Sequence, residues 1–144
     1  MSKKVKLTIE HDFDFSLIAI ISTEPIYRLG YLINQSLHYN LKENRSLQVY
    51  HAKRQLVQEF PLFSDDTNLL TSTVHLIQNK GIQGYFIEEE KQVDFWLKWE
   101  NTEPNLQKVL PEIKKIKNIS LIYEVKPGLL KSKNRFLFSL DETI

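Results

Sequence analysis

Phe15 to Ile21 reads FSLIAII and runs straight into Ser22-Thr23-Glu24-Pro25. A strand apolar on both faces must be covered on both sides, so this run belongs inside a sheet. The four residues after it open a helix. Ser22 or Thr23 can accept a first-turn N–H, Glu24 suits the positive end of the dipole, and Pro25 loses no intrahelical bond. Ile26, Leu29, Gly30, Ile33 and Leu37 then recur at helical spacing, which predicts a helix over 24–40. Gly30 lies on its inner stripe, where it allows close approach to a strand. Thr102-Glu103-Pro104 repeats the same opening. A stripe of Leu106, Val109, Leu110, Ile113 and Ile116 follows through residue 117, with Pro111 predicting a kink or break inside it. ISLIYEV, from Ile119 to Val125, reads as the next strand, ended by Pro127-Gly128.

The remaining segments read mostly as strands. Val5, Leu7 and Ile9 alternate with polar residues over 4–10, and Asp12 to Asp14 turns the chain. Residues 46–63 hold one or two strands, with Pro61 near an end or an edge. Ser64-Asp65-Asp66-Thr67-Asn68 reads as a turn. Thr71 to Gln78 is β-branched and strand-like; Asn79-Lys80-Gly81 predicts a tight hairpin turn with a return strand from Ile82 to Ile87. Residues 129–140 are expected to give a short helix and a last strand, RFLFSL. Two strand–helix–strand halves on one antiparallel sheet make an α+β fold with two main helices packed on it, a ferredoxin-like or ACT-like sandwich with extra strands.

The 144 residues are 42 % apolar, enough for one core and one domain spanning 1–144. The absence of cysteine excludes disulfides, thiolate catalysis and sulfur-ligated zinc, and fits a reducing cytoplasm. The early lysines are followed by Glu10, Asp12 and Asp14 rather than by an apolar stretch, so neither a signal peptide nor a membrane span is expected. Net charge is +1 but uneven: residues 1–58 carry +3, 59–103 carry −6 and 104–144 carry +4. Such segregation can steer a partner or pair two copies.

At the centre of the acidic third stands GYFIEEEKQVDFWLKW, Gly84 to Trp99. Val93, Phe95, Leu97 and Trp99 share one face and Asp94, Trp96, Lys98 and Glu100 the other, so 93–99 is a strand with the odd-numbered face toward the core. Glu88 to Gln92 is its polar approach, and Asp94 is read as a carboxylate bracing that bend. The spacing at Ile87, Glu89, Val93 and Asp94 resembles a bacterial family known by its signature IPExxxVDY. Glu88 stands where that signature has proline, and Phe95 where it has tyrosine. The resemblance implies no established activity; the phenylalanine weakens any role for a phenolic hydroxyl at position 95.

The residues favour no chemistry of their own. Consecutive glutamates point in different directions, and no aspartate-rich loop with a central glycine frames Glu88, Glu89, Glu90 and Asp94 for a cation. No phosphate loop, GxSxG, HExxH or CxxC is present, and His11, His38, His51 and His75 form no short-spaced pair. We therefore expect no cofactor, no metal and no catalytic residue. The expectation is a non-catalytic, cytoplasmic domain that binds itself, as a homodimer or larger oligomer, or another protein, with Tyr85, Glu88, Glu90 and an exposed Trp96 as the contact surface. Two alternatives stay open. One is a small-molecule regulatory domain of the ACT type. The other is weak RNA binding through Lys3, Lys4, Lys6, Lys131, Lys133 and Arg135, with Phe136 and Phe138 beside them.

Overall fold

A computed structural model describes residues 15–68, 72–100 and 103–138. In chain order these form β1 (Ser16–Ser22), α1 (Ile26–Leu37), β2 (Lys42–His51), β3 (Leu56–Asn68), β4 (Ser72–Gln78), β5 (Lys80–Gly81), β6 (Gly84–Tyr85), β7 (Phe95–Glu100), α2 (Leu106–Lys114) and β8 (Ile119–Glu124). Two 3-10 turns, Pro127–Leu129 and Lys133–Phe136, follow. The strand over 4–10, the turn at Asp12 to Asp14, and His11, Lys3, Lys4 and Lys6 lie outside the described residues.

Six strands make one antiparallel sheet in the order β2-β3-β4-β7-β1-β8, so the fold is α+β with two helices. The FSLIAII run occupies an interior place, with Leu17, Ile18, Ala19 and Ile20 all fully buried between β7 and β8. Alternation divides the core into two layers. Ile18, Ile20, Val74, Leu76, Phe95, Leu97 and Trp99 face the helices, where Leu29, Ile33, Val109 and Ile113 meet them. Leu17, Ala19, Phe60, Leu62, Ile77 and Trp96 face away, and there the chain after β8 crosses the sheet and inserts Leu130 and Phe136. No helix among the described residues is long and apolar enough to cross a membrane.

The helix starts differ in detail from expectation. Ser22 Oγ accepts the Glu24 N–H, so it closes the turn before Pro25 rather than capping the helix. Gly30 does permit close approach: an added Cβ would lie 3.4 Å from the Phe63 ring on β3. Pro111 remains inside α2, on its exposed side.

Three segments expected as something else are corrected by packing. Ser64 to Asn68 is not a turn but the end of the long β3, where Ser64 is buried opposite His75. Pro61 lies inside β3 between two neighbours. The β2 register slips between Asn44 and Leu47, opposite this proline, so no ladder bond from its missing N–H is required. The final segment forms no strand across 129–138; its 3-10 turns follow the sheet surface, and residues 139 and 140 lie outside the described residues.

The tight hairpin also sits elsewhere. β4 ends at Gln78, and the two-residue turn is Ile82-Gln83, between Gly81 and Gly84. Gly81 presses on β3: a Cβ there would meet the Glu59 carbonyl at 2.5 Å and the Phe60 ring at 2.9 Å. Because the first obstacle is backbone, Gly81→Ala should destabilise the fold by about 1–3 kcal/mol in urea unfolding, with circular dichroism otherwise native.

Candidate functional site

The acidic segment is organised by a residue that sequence reading placed in a turn. Asn79, the first residue after β4, is fully buried. Its Nδ2 donates to the Glu90 and Val93 carbonyls, each at 2.9 Å. Its Oδ1 accepts the Ile87 N–H and the Trp96 indole N–H, each at 2.9 Å. Its backbone continues the pattern, donating to the Asp94 carbonyl and accepting from Phe86. One amide therefore satisfies the segment from Ile87 to Trp96, which has left the sheet after β4 and has few ladder partners of its own.

With that frame fixed, the three glutamates diverge. Glu88 Oε1 lies 2.8 Å from His51 Nε2 at the end of β2. Glu89 accepts both the N–H and the hydroxyl of Ser132, at 2.7 and 2.8 Å. Partial burial would raise the Glu89 carboxyl, but the Ser132 bonds outweigh it and hold it below its ordinary value. Glu90 stays on the surface, taking the Gln92 side-chain amide at 3.0 Å. Asp94 Oδ2 accepts the Ser22 N–H at 2.9 Å, tying the β1–α1 turn rather than the bend before it. Ile87 and Val93 are buried, and Phe95 lies in the helix-side core.

Trp96 corrects the expected contact surface. It is fully buried in the far-side core, edge-on to Phe136 with ring centres 5.5 Å apart, and is not an exposed anchor. Tyr85 is half-buried, with Lys91 Nζ 5.8 Å from its ring centre. The even-numbered face of β7 is thus a second core face, covered by the crossing segment.

That face carries a polar line which sequence reading missed. Ser64 Oγ is 2.8 Å from His75 Nδ1; His75 Nε2 is 3.2 Å from Glu100 Oε1, which lies 2.8 Å from Lys98 Nζ. Register produces it: Ser64 pairs with His75 across β3–β4, and His75 with Lys98 across β4–β7. In the neutral ring, Glu100 selects the Nε2–H tautomer and Nδ1 accepts the Ser64 O–H. Lys98 is 3 % exposed; its ammonium also donates to the Phe136 carbonyl and sits 4.7 and 4.4 Å from the Phe15 and Phe138 ring centres. His75 is buried with its ring 5.1 Å from Phe138.

Serine, histidine and carboxylate in a row resemble an activated nucleophile. Here the hydroxyl is 5 % exposed, and the carboxylate is held by an ammonium. The line packs against the far-side core, with its Glu100 end partly exposed. Phe136 is likewise buried, and Arg135 is committed to the Tyr85 and Phe86 carbonyls, so neither forms the RNA-binding face considered from sequence. No group of three histidine, aspartate or glutamate side chains among the described residues is placed to hold a metal ion.

Besides Leu129 and Leu137 on the crossing segment, exposed apolar side chains lie around a concavity elsewhere. A groove of about 430 Å³ crosses the helix side of the sheet, lined by Ser46, Glu59, Pro61, Gln78, Lys80, Gly81 and Ile82. It begins two residues beyond Phe63 and Leu76, the strand residues that meet Gly30. Ile82, at the tip of the β5–β6 hairpin, is 96 % exposed. Val57, two residues from Glu59 on the same face of β3, and Tyr50 opposite it are also exposed. Periodicity alone marks such positions as strand residues, since it is blind to where the helical layer stops.

Comparison with known proteins gives no further handle: no family model, no curated protein and no solved structure matches this chain.

Two outcomes follow. Asn79→Ala strands two buried donors, the Ile87 N–H and the Trp96 indole N–H, and takes a donor from the Val93 carbonyl, each costing about 1–3 kcal/mol, while the Glu90 carbonyl keeps the Val93 N–H; equilibrium unfolding should show a loss of about 3 kcal/mol or more. Burial alone would raise the Glu100 carboxyl, yet His75 and Lys98 outweigh it and hold it at about 2, against an ordinary 4.5. On acidification the unfolded chain therefore takes up this proton first. Stability should fall as pH drops from about 4.5 toward about 2, and Glu100→Gln, less stable near neutrality, should lose that part of the slope.

Proposed function

We propose that this chain is a non-catalytic association domain that binds a second copy of itself or another protein. The observation that carries the reading is the groove beside Ile82, Tyr50 and Val57. Large side chains exposed around a concavity are what protein interfaces bury, and aromatic residues are enriched there. The carboxylates that sequence reading offered for chemistry have partners within the chain: Glu88, Glu89, Glu90 and Asp94 are met by His51, Ser132, Gln92 and Ser22.

Within this reading the fold is a ferredoxin-like sandwich. Its support is the strand order β8-β1-β7-β4 with α1 and α2 as the crossings, to which β2 and β3 add an outer hairpin. The likeness to the IPExxxVDY signature goes with it. Glu89 and Asp94 each anchor a distant segment, and Glu88, where the signature has proline, anchors β2. The proposed role of that signature is architectural.

Light scattering of the purified protein tests the association. The expected mass in the low micromolar range exceeds the 17.0 kDa monomer or includes a co-purifying protein, and Ile82→Asp returns a monomer. A clean monomer with no partner would contradict the reading.

A further inference from the structure

Two cations on the far side of the sheet are committed: Lys98 to Glu100 and the Phe136 carbonyl, and Arg135 to two carbonyls. On the helical layer only Lys115 is ion-paired among the described residues. Arg28, Lys108, Lys114 and Lys117 are exposed, and none makes an ion pair among the described residues. Lys114 reaches only the Ser120 carbonyl, at 3.4 Å. Two acids of this layer are engaged: Glu112 pairs with Lys115 at 2.8 Å, and Glu24 accepts from the Asn118 amide at 2.8 Å; Glu103, before α2, is exposed. The layer is one surface, because Ser36 on α1 donates to the Glu112 carbonyl on α2. Helical spacing puts Arg28, Tyr31 and Gln35 together on the outward side of α1. Tyr31 is 52 % exposed and Tyr27, on its flank, 68 %.

We infer that the outer face of the α1–α2 layer docks an acidic, leucine-bearing segment of another protein, through Arg28, Lys108 and Lys117 around an apolar contact at Tyr27 and Tyr31. Charge complementarity selects the acid: unpaired cations on one face attract and orient an anionic partner. Tyrosine beside arginine is the pairing that interfaces favour as an anchor. A protein fits better than single-stranded RNA, because Arg28 already lies 5.9 Å over the Tyr31 ring and Gln35 holds its hydroxyl at 2.7 Å. On Tyr31 one ring face is thereby taken from a stacked base, while its edge stays open to aliphatic side chains. This deepens the association reading without depending on the groove.

Fluorescence anisotropy of the full chain with a labelled peptide of alternating glutamate and leucine tests it, with the lysine–leucine peptide and an oligouridylate as comparisons. Saturable binding to the acidic peptide is expected, weakening with salt. Lys108→Glu combined with Lys117→Glu should weaken it about tenfold or more; Tyr31→Ala should weaken it severalfold. All replaced side chains are exposed, so circular dichroism should stay native. No binding, binding unchanged by the charge reversal, or tighter binding of the oligouridylate or the lysine peptide would overturn the inference. Failure of the peptide to bind, together with association in light scattering that Ile82→Asp abolishes, would remove the docking inference and leave the groove as the interface. A monomer that binds the peptide would instead uphold docking at the helical layer and remove the groove.

Discussion

The Asn79 side chain sits where the chain must leave the sheet and come back. Between β4 and β7 lie sixteen residues that make only a two-strand hairpin and an irregular bend, yet they border the far-side core. Buried backbone without ladder partners costs free energy unless something else pairs it. A carboxamide is suited to this, having two donors and an acceptor oxygen on one planar group. Asn79 uses all of them, and its acceptor also takes the Trp96 indole N–H, which lets the largest side chain of the far face be buried with its polar atom satisfied.

The rest of the architecture follows from holding that bend still. With Ile87 to Val93 fixed, Glu88 reaches β2 and Glu89 the crossing segment, while Asp94 reaches back to the β1–α1 turn. Three consecutive like charges would repel in a free loop; here their carboxylates separate, and each takes donors from a different part of the chain. The crossing segment is pinned in turn by Arg135 and Lys98, whose hydrogen bonds go to backbone carbonyls. Charged side chains thus do for this segment what a sheet ladder does for a strand. The proposed association surfaces lie on the opposite, helical side, where the covering is incomplete and Arg28, Lys108, Lys114 and Lys117 make no ion pair among the described residues.

Much of the fold was legible in the sequence, because it rests on local rules. FSLIAII could only be an interior strand, the two stripes beginning near Ile26 and Leu106 could only be helices, and alternation assigned the two faces of Phe95 to Trp99; Val93, expected on the odd-numbered face of the strand, instead precedes β7 and packs in the far-side core. What could not be read was set by partners far away. Ser64 to Asn68 has turn composition, but pairing with β4 extends it as a strand. Trp96 and His75 sit on a strand face that an alternation rule assigns to solvent; only the later segment carrying Phe136 and Phe138 covers it. Asn79 beside Lys80-Gly81 has the composition of a tight turn, and nothing local distinguishes an exposed turn asparagine from a buried one. The only hint was the polar stretch after it, whose backbone needed partners from somewhere.

The Asn79 carboxamide makes the segment from Ile87 to Trp96 part of the core rather than a loop laid on it. Hydrogen exchange by NMR tests this most directly, read at the Ile87 amide and the Trp96 indole N–H. Both should exchange only through global unfolding, as slowly as the most protected amides of β1 and β7. Exchange at either site by local opening, at the rate of the Ile82-Gln83 turn, would contradict that role for Asn79.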